Sequence, residues 1–309
     1  MTALQSRPAP VVPEMPHHEV RHHFTVDVEE YFQVSAMEPY VSRDRWEGMT
    51  SRVEFGTRLL LELLADADAL GTFFVLGWIA DRYPALIRDI AAAGHEIASH
   101  GHGHERITEL TPSQFRESVR TSRSTLEQLL GTAVIGYRAP SFSIVRGGEW
   151  ALDVLLEEGY RYDSSLYPVQ RAGYGYAGGA RDPHRIVRDS GTLSEFPPAT
   201  LEIRSAVLPA GGGAYFRHLP YQLVHGAISS AAARGAPATF YIHPWELDPL
   251  QPRIAMPFKT RLRHYGGLRR TVPRLRRLLA RFQFQPIATT LHTMDDSTRL
   301  EGASAPPAG

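Results

Sequence analysis

The 309-residue chain contains no cysteine. Disulfides, thiolate zinc sites and a cysteine nucleophile are therefore excluded, and the composition fits a reducing compartment. No apolar run approaches the ~20 residues of a membrane span, so no transmembrane segment is expected. The first twenty residues, MTALQSRPAPVVPEMPHHEV, hold four prolines and no apolar core segment, and do not read as a secretory signal. Together these absences predict a cytoplasmic protein. Net charge is absent too, since 33 Lys/Arg balance 33 Asp/Glu. The balance is uneven along the chain. From Pro249 to Met294 there are ten Lys/Arg and no acid, which leaves 23 basic against 33 acidic residues elsewhere. Aromatics are not interleaved with these cations as a stacking surface for nucleic acid needs. No nucleic-acid partner is expected. A basic helix face packed on an acidic body, or peripheral contact with an anionic membrane or with substrate phosphates, accounts for the stretch.

Between a proline-rich lead-in at residues 1–20 and a tail at 297–309, both expected to be disordered, apolar runs alternate with helical-period segments. HHFTVDVEE reads as a strand of period two, VEFGTRLLLELLADADAL as a helix and GTFFVLGW as a buried strand. PALIRDIAAAG is a helix closed by Gly94, and HEIASHG a short strand. The next helix opens with Thr111 as N-cap, Pro112 in the first turn and Gln114 three residues on, which makes a capping box. AVIGYRAP, YRYDSSL and PATFYIHPW read as further strands, with GGEWALDVLLEEG and LPYQLVHGAISSAAARG as helices. Such alternation predicts an α/β fold with a mostly parallel sheet under crossover helices, and its sites at the carboxyl ends of the strands. The polar residues that interrupt the pattern fall there: Asp27, Glu29, Glu30, His100, His104, Arg138, Asp163 and His243.

The segment HEIASHGHGHE places four histidines, His95, His100, His102 and His104, within ten positions. Two imidazoles four residues apart meet on a helical turn, whereas in an extended strand they would stand ~13 Å apart. Gly101 and Gly103 favour the tight turn, so His100 and His104 are candidate metal ligands. His102 is offset and excluded, and His95 at the strand start reads as a structural, hydrogen-bonded histidine. A catalytic divalent ion needs a third ligand and an open position. Asp27 and Glu29 share one strand face, with Glu30 on the other. Two carboxylates there repel unless a cation or a shared proton intervenes. Two histidines and a carboxylate also describe non-haem iron oxygenases, but those sites favour all-β double sheets and a His-x-acid spacing, which this chain lacks.

These residues resemble the polysaccharide deacetylases, the NodB homology domain of carbohydrate esterase family 4. Five motifs of that family have counterparts in order, TVDVEE, HGHGH, YRAPSF, YDSSLYP and FYIHPWE, across roughly residues 22 to 250. The phrasing of TVDVEEYFQVSA, YRAPSFSI and LRRTVPRLRRLLARFQF is closest to the exosortase/PEP-CTERM-associated exopolysaccharide deacetylases. The resemblance implies a distorted (β/α) barrel over residues 21–250, with 251–296 as a basic C-terminal extension packed on the same domain. It implies removal of N-acetyl groups from an oligo- or polysaccharide by a bound divalent metal, most simply Zn2+, with Co2+ or Ni2+ as alternatives.

By the same resemblance Asp27 is the general base, and the next acid of its motif joins His100 and His104 on the metal. The family's adjacent Asp-Asp is broken by Val28, so Glu29 is expected as the ligand and Glu30 is its alternative. Arg138 is expected to hold Asp27 ionised, and His243 to protonate the leaving amine. The backbone N–H of Ser141, where the family carries Tyr, would meet the oxyanion. Asp163 is expected to support Arg138 or His243. Tyr31, Phe32, Phe142 and Trp245 flank the motifs, and the three glycines from Gly211 to Gly213 could shape one wall of a groove. The rival functions are hydrolysis of small cyclic amides, as in allantoinase-like enzymes of the same fold, and non-catalytic glycan binding.

Overall fold

A computed structural model describes residues 20–171 and 173–304. The lead-in expected at 1–20 lies outside the described residues except for Val20, as do 305–309. Strand β1 (His22–Val28) is followed by helix α1 (Val53–Asp66) and β2 (Thr72–Val75). Helices α2 (Gly77–Arg82) and α3 (Pro84–Ala92) precede β3 (Glu96–Ser99). The alternation continues through α4 (Pro112–Leu130), β4 (Gly136–Tyr137), α5 (Trp150–Glu157) and β5 (Tyr162–Asp163). Two hairpins follow, β6 (His184–Arg188) with β7 (Gly191–Glu195) and β8 (Thr200–Ile203) with β9 (Ala206–Pro209). Then come α6 (Gly213–His218), α7 (Tyr221–Ala233) and β10 (Thr239–Ile242). The basic stretch folds as α8 (Phe258–Tyr265) and α9 (Leu268–Leu279), followed by β11 (Phe284–Gln285) and α10 (Ile287–Ser304).

The main sheet is ordered β10-β1-β2-β3-β4-β5-β7-β6, with β11 also paired to β1. Every pairing in it is parallel except β6 with β7. The sheet curls into a distorted (β/α) barrel, as the alternation of elements predicts. All seven residues of β1 are buried, as a central parallel strand requires. Its period-two pattern has a different origin from water on one face. Phe24, Val26 and Val28 pack in the apolar layer with α1, α3 and α4. The alternate residues hydrogen-bond inward: His23 with Thr239 and Thr290, and Thr25 and Asp27 with Arg138. These polar groups share the barrel interior with an apolar cluster that includes Phe74, Ala98, Tyr162 and Phe196.

The seam of the barrel is made by chain that no strand pattern marked. After β7, the Phe196 amide donates to Asp163 O on β5, and three residues later the Ala199 amide donates to Thr239 O on β10, both at 2.9 Å. Isolated bridges join Pro198 to Thr239 and Gly212 to Tyr241. Gly212 has φ 145°, and a Cβ there would lie 1.7 Å from Tyr241 O. Only glycine lets the two backbones close at that point.

Several local expectations hold, among them the Thr111–Gln114 capping box and the left-handed Gly94 (φ 87°) after α3. Others are corrected. AVIGYRAP and YRYDSSL contribute only two-residue strands, because arginine and serine side chains there turn into the barrel mouth. Residues 297–304, expected in the disordered tail, continue helix α10. Among the described residues no helix is long and apolar enough to cross a membrane.

Substituting Gly212→Ala is expected to destabilise the fold by about 1–3 kcal/mol, the usual cost of forcing atoms into a packed contact. Thermal and urea unfolding would show it. An unchanged midpoint would mean that the seam does not contribute to stability.

Candidate active site

The carboxyl ends of β1, β3, β4 and β10 meet around one cavity of about 360 Å3. Asp27, Glu29, His100, His104, Ser141 and His243 line it. The histidine segment does not form a helical turn. His100 still belongs to the sheet ladder, its amide donating to Val75 O at 2.9 Å. The chain then reverses through left-handed Gly101 (φ 76°) and left-handed His104 (φ 58°). The carbonyls of Gly101 and His102 accept from the amides of Gly77 and Trp78 at the start of α2, which fixes the loop. The result is the proximity a helical turn would have given, with ring centroids 5.6 Å apart. His95 accepts from the Gly71 amide, the structural part expected of it.

Glu29, His100 and His104 offer ligand atoms that all lie within 4.8 Å of one another, and all three residues are buried. His100 Nδ1 lies 2.8 Å from the Arg138 carbonyl; donation there leaves Nε2 as a free lone pair. Burial lowers the His100 pKa to about 4, so the ring is neutral at physiological pH. Glu29 Oε1 accepts from Trp245 Nε1 at 3.2 Å. Glu29 Oε2 sits 2.7 Å from His104 Nε2, but without the alignment of a hydrogen bond, and it has no other partner. Burial alone would raise the Glu29 carboxyl; the imidazoles of His104 and His243 outweigh it and hold the group at about 2. Two imidazole nitrogens and one carboxylate oxygen, converging with a buried acceptor left over, fit a divalent cation with an open position. Glu30 does not share this cradle. Its carboxylate accepts from Ser51 Oγ and from the Arg52 amide (2.9 Å), on the far side of the strand.

Beside the cradle, Arg138 is fully buried and donates Nη1 to Asp27 Oδ1 at 2.7 Å. The rest of its guanidinium bonds Thr25 Oγ1, Ser164 O and Ser164 Oγ and lies over the Phe74 ring. His243, just past β10, places Nε2 3.8 Å from Asp27 Oδ2 and 3.6 Å from Glu29 Oε1. Its Nδ1 meets Glu246 Oε1 at 2.7 Å, and Glu246 Oε2 is held by Arg217 Nε at 2.5 Å. Burial lowers the His243 pKa, but the carboxylates of Glu29, Glu246 and Asp27 raise it more, to about 9. A cation beside Glu29 would lower it back toward neutrality.

The expectation for Asp163 is corrected. It bonds Ser165 Oγ at 2.5 Å and pairs with Glu195, and among the described residues it touches neither Arg138 nor His243. Ser164 takes the place beside Arg138, and Glu246 the place beside His243. Glu246 was legible in part: in His-Pro-x-Glu the glutamate reaches back as in a capping box, and its Oε1 accepts from the His243 amide at 3.2 Å. Arg217 carried no local signal. Of the flanking aromatics, Tyr31 and Phe32 are core, whereas Phe142 and Trp245 line the cavity. Gly213 lines it too, with Ala214 and Tyr215. His104, Ser141 and Phe142 are three of the five non-glycine residues with positive φ among the described residues. Backbone strain of that kind persists where the surroundings over-determine it, commonly at functional sites.

Known proteins share this arrangement in part. Residues 48–156 match the polysaccharide deacetylase family. That deacetylase segment contains His100, His104, Arg138 and Ser141, while Asp27 and Glu29 precede it. Residues 164–292, with Arg217, His243 and Glu246, match a domain of unknown function, DUF3473. A peptidoglycan deacetylase of Helicobacter pylori is 31% identical over 115 residues, which cover 37% of this chain and 38% of that protein. A chitooligosaccharide deacetylase of Azorhizobium caulinodans is 27% identical over 100 residues, covering 32% and 45%. The chain thus spans well under half the length of the curated relatives it matches. Among solved structures, a Mycobacterium smegmatis protein named as a polysaccharide deacetylase superposes with TM-score 0.63 at 20% identity, over 95% of this chain and 96% of that one. Puue allantoinase gives 0.57 at 20% identity over 92% and 93%. These two likenesses establish the fold and leave the choice between amide substrates to the site.

Substitution of His100, His104 or Glu29 by Ala is expected to weaken zinc or cobalt binding at least tenfold in calorimetric titration. Glu30→Gln should lower thermal stability and leave metal affinity as it was. The reverse pattern would move the ligand to Glu30.

Proposed function

We propose that this protein is a metal-dependent hydrolase that removes N-acetyl groups from amino-sugar residues of a polysaccharide or its precursor, within exopolysaccharide biosynthesis. The observation that carries the reading is the pair Asp27 and His243, a base and an acid 3.8 Å apart, beside the Glu29–His100–His104 cradle. The deacetylase names of the relatives support it. The cradle also favours it over a metal-free cyclic-amide hydrolase, and a glycan-binding protein would need no acid–base set.

A divalent ion in the cradle, zinc in our reading with cobalt or nickel as substitutes, would supply Lewis acidity to the acetamide carbonyl and bring the pKa of water toward neutral. Asp27, oriented by Arg138, takes the proton of the attacking water. We assign the Ser141 N–H to the oxyanion that develops on the carbonyl oxygen. His243 Nε2 then gives its proton to the sugar nitrogen as the C–N bond breaks, which releases acetate and the free amine. Glu246 accepts from Nδ1 and so keeps the acidic proton on Nε2, facing the cavity. Phe142, Tyr174, Tyr215 and Trp245 give the cavity apolar ring faces on which a pyranose can stack.

Acetate release from N-acetylglucosamine oligomers is expected to vanish on chelation and return with zinc or cobalt. Asp27→Asn should lower it by about 10²–10⁴ while metal still binds. Metal binding without acetate release from any N-acetylated glycan would overturn the reaction class.

Glu246→Gln tests the acid. A general acid must be protonated, and removal of a negative charge beside His243 lowers its pKa, so the basic limb of the rate profile should move to lower pH. The turnover number should fall about 10–100-fold with metal affinity unchanged. An unmoved basic limb would remove His243 from the role.

A further inference from the structure

Among the described residues seven large apolar side chains are exposed, and three of them fall within thirteen positions: Leu250 (78% exposed), Phe258 (67%) and Leu262 (56%). Phe258 and Leu262 are four apart on α8 and therefore share a face of that helix. Two surface clefts share Arg253, Leu262 and Tyr265. One of them reaches Pro249, the neighbour of Leu250, and the other reaches Phe258, so Phe258 and Leu262 border adjoining clefts that extend to the residue before Leu250. Its charge has a single sign. Residues 249 to 294 hold ten Lys/Arg and no acid. Of the cations on α8 and α9, only Arg276 pairs with a carboxylate among the described residues, Asp66 at 3.2 Å. Lys259, Arg261, Arg269 and Arg270 are exposed around the apolar side chains. On the inner side of the same helix, Arg263 and His264 line the catalytic cavity.

We propose that this face, built from Leu250, Phe258 and Leu262 ringed by unpaired cations, docks on an anionic lipid bilayer and holds the mouth of the cavity at the membrane surface. Apolar side chains that project from a short basic helix bury at the headgroup boundary while their cationic neighbours meet acidic lipids. A protein partner would leave the excess positive charge uncompensated unless it were strongly acidic. A nucleic acid would leave Leu250 and Phe258 without an apolar counterpart. The bilayer answers both halves of the surface. Such docking does not depend on the hydrolytic reading, and it is measured without catalysis.

The test is flotation of the full chain with vesicles of phosphatidylcholine alone or mixed with phosphatidylglycerol. The protein should float with the mixed vesicles only, and high salt should weaken binding roughly tenfold. The double variant Phe258→Asp/Leu262→Asp should lose binding by a similar factor or more, with its unfolding midpoint and its turnover of soluble oligosaccharides within twofold of the parent chain. In the single variant Phe258→Trp, mixed vesicles should shift the indole emission to the blue. Absence of flotation with the mixed vesicles overturns the proposal. So does equal flotation of the double variant, which would put the contact elsewhere on the molecule. Self-association that the double variant abolishes, without vesicle binding, would assign the face to a second copy of the chain.

Discussion

A guanidinium with no exposed surface sits where five strand ends converge. An unpaired charge in such a place costs several kcal/mol, so Arg138 can be buried only if its surroundings neutralise and hydrogen-bond it together. They do so from three directions: Asp27 and Thr25 on β1, the carbonyl and hydroxyl of Ser164 after β5, and the Phe74 ring on β2. The carbonyl of Arg138 in turn meets the His100 ring, which settles which nitrogen faces the cavity. One residue thus pairs with the proposed base and orients a proposed ligand.

The second constraint is charge balance on the other side of the cradle. His243 faces Asp27 and Glu29 across less than 4 Å, and behind it Glu246 and Arg217 form a fully buried pair. Negative and positive groups alternate from Arg138 through Asp27 and His243 to Glu246 and Arg217. In a buried alternation of that kind, a ligand or proton added at the centre is felt along the chain of contacts. The two halves come from different matched regions, Arg138 from the deacetylase segment and Arg217 from the domain of unknown function. The site is complete only where they meet.

Much of this was readable one residue at a time. The fold class followed from the alternation of strand and helix patterns. The candidate residues followed from their place after apolar runs, as with His243 after PATFYI. Within the histidine segment, the four-residue spacing separated His100 and His104 from the offset His102. The misreadings share one cause. Periodicity reports which residues share a face within an element, and it is silent where chain is held by long-range partners. The seam through Pro198 and Gly212, the loop that seats His104 and the two-residue strands β4 and β5 all take their conformation from neighbours distant in the chain.

What the sequence determined by itself was the inventory: the acids, imidazoles and guanidinium, their order, and the strand ends that carry them. Tertiary structure decided the pairings. It put Glu29 rather than Glu30 with the histidines, because β1 ends at Val28 and the chain turns Glu30 back toward Ser51 and Arg52. It also placed Ser164 instead of Asp163 beside Arg138, and Glu246 with Arg217 behind His243. Local pattern fixes the side of a strand on which a group lies, to within one residue of its end. Which partner it meets there depends on curvature and closure of the sheet, and those are set by packing between segments that are not neighbours in the sequence.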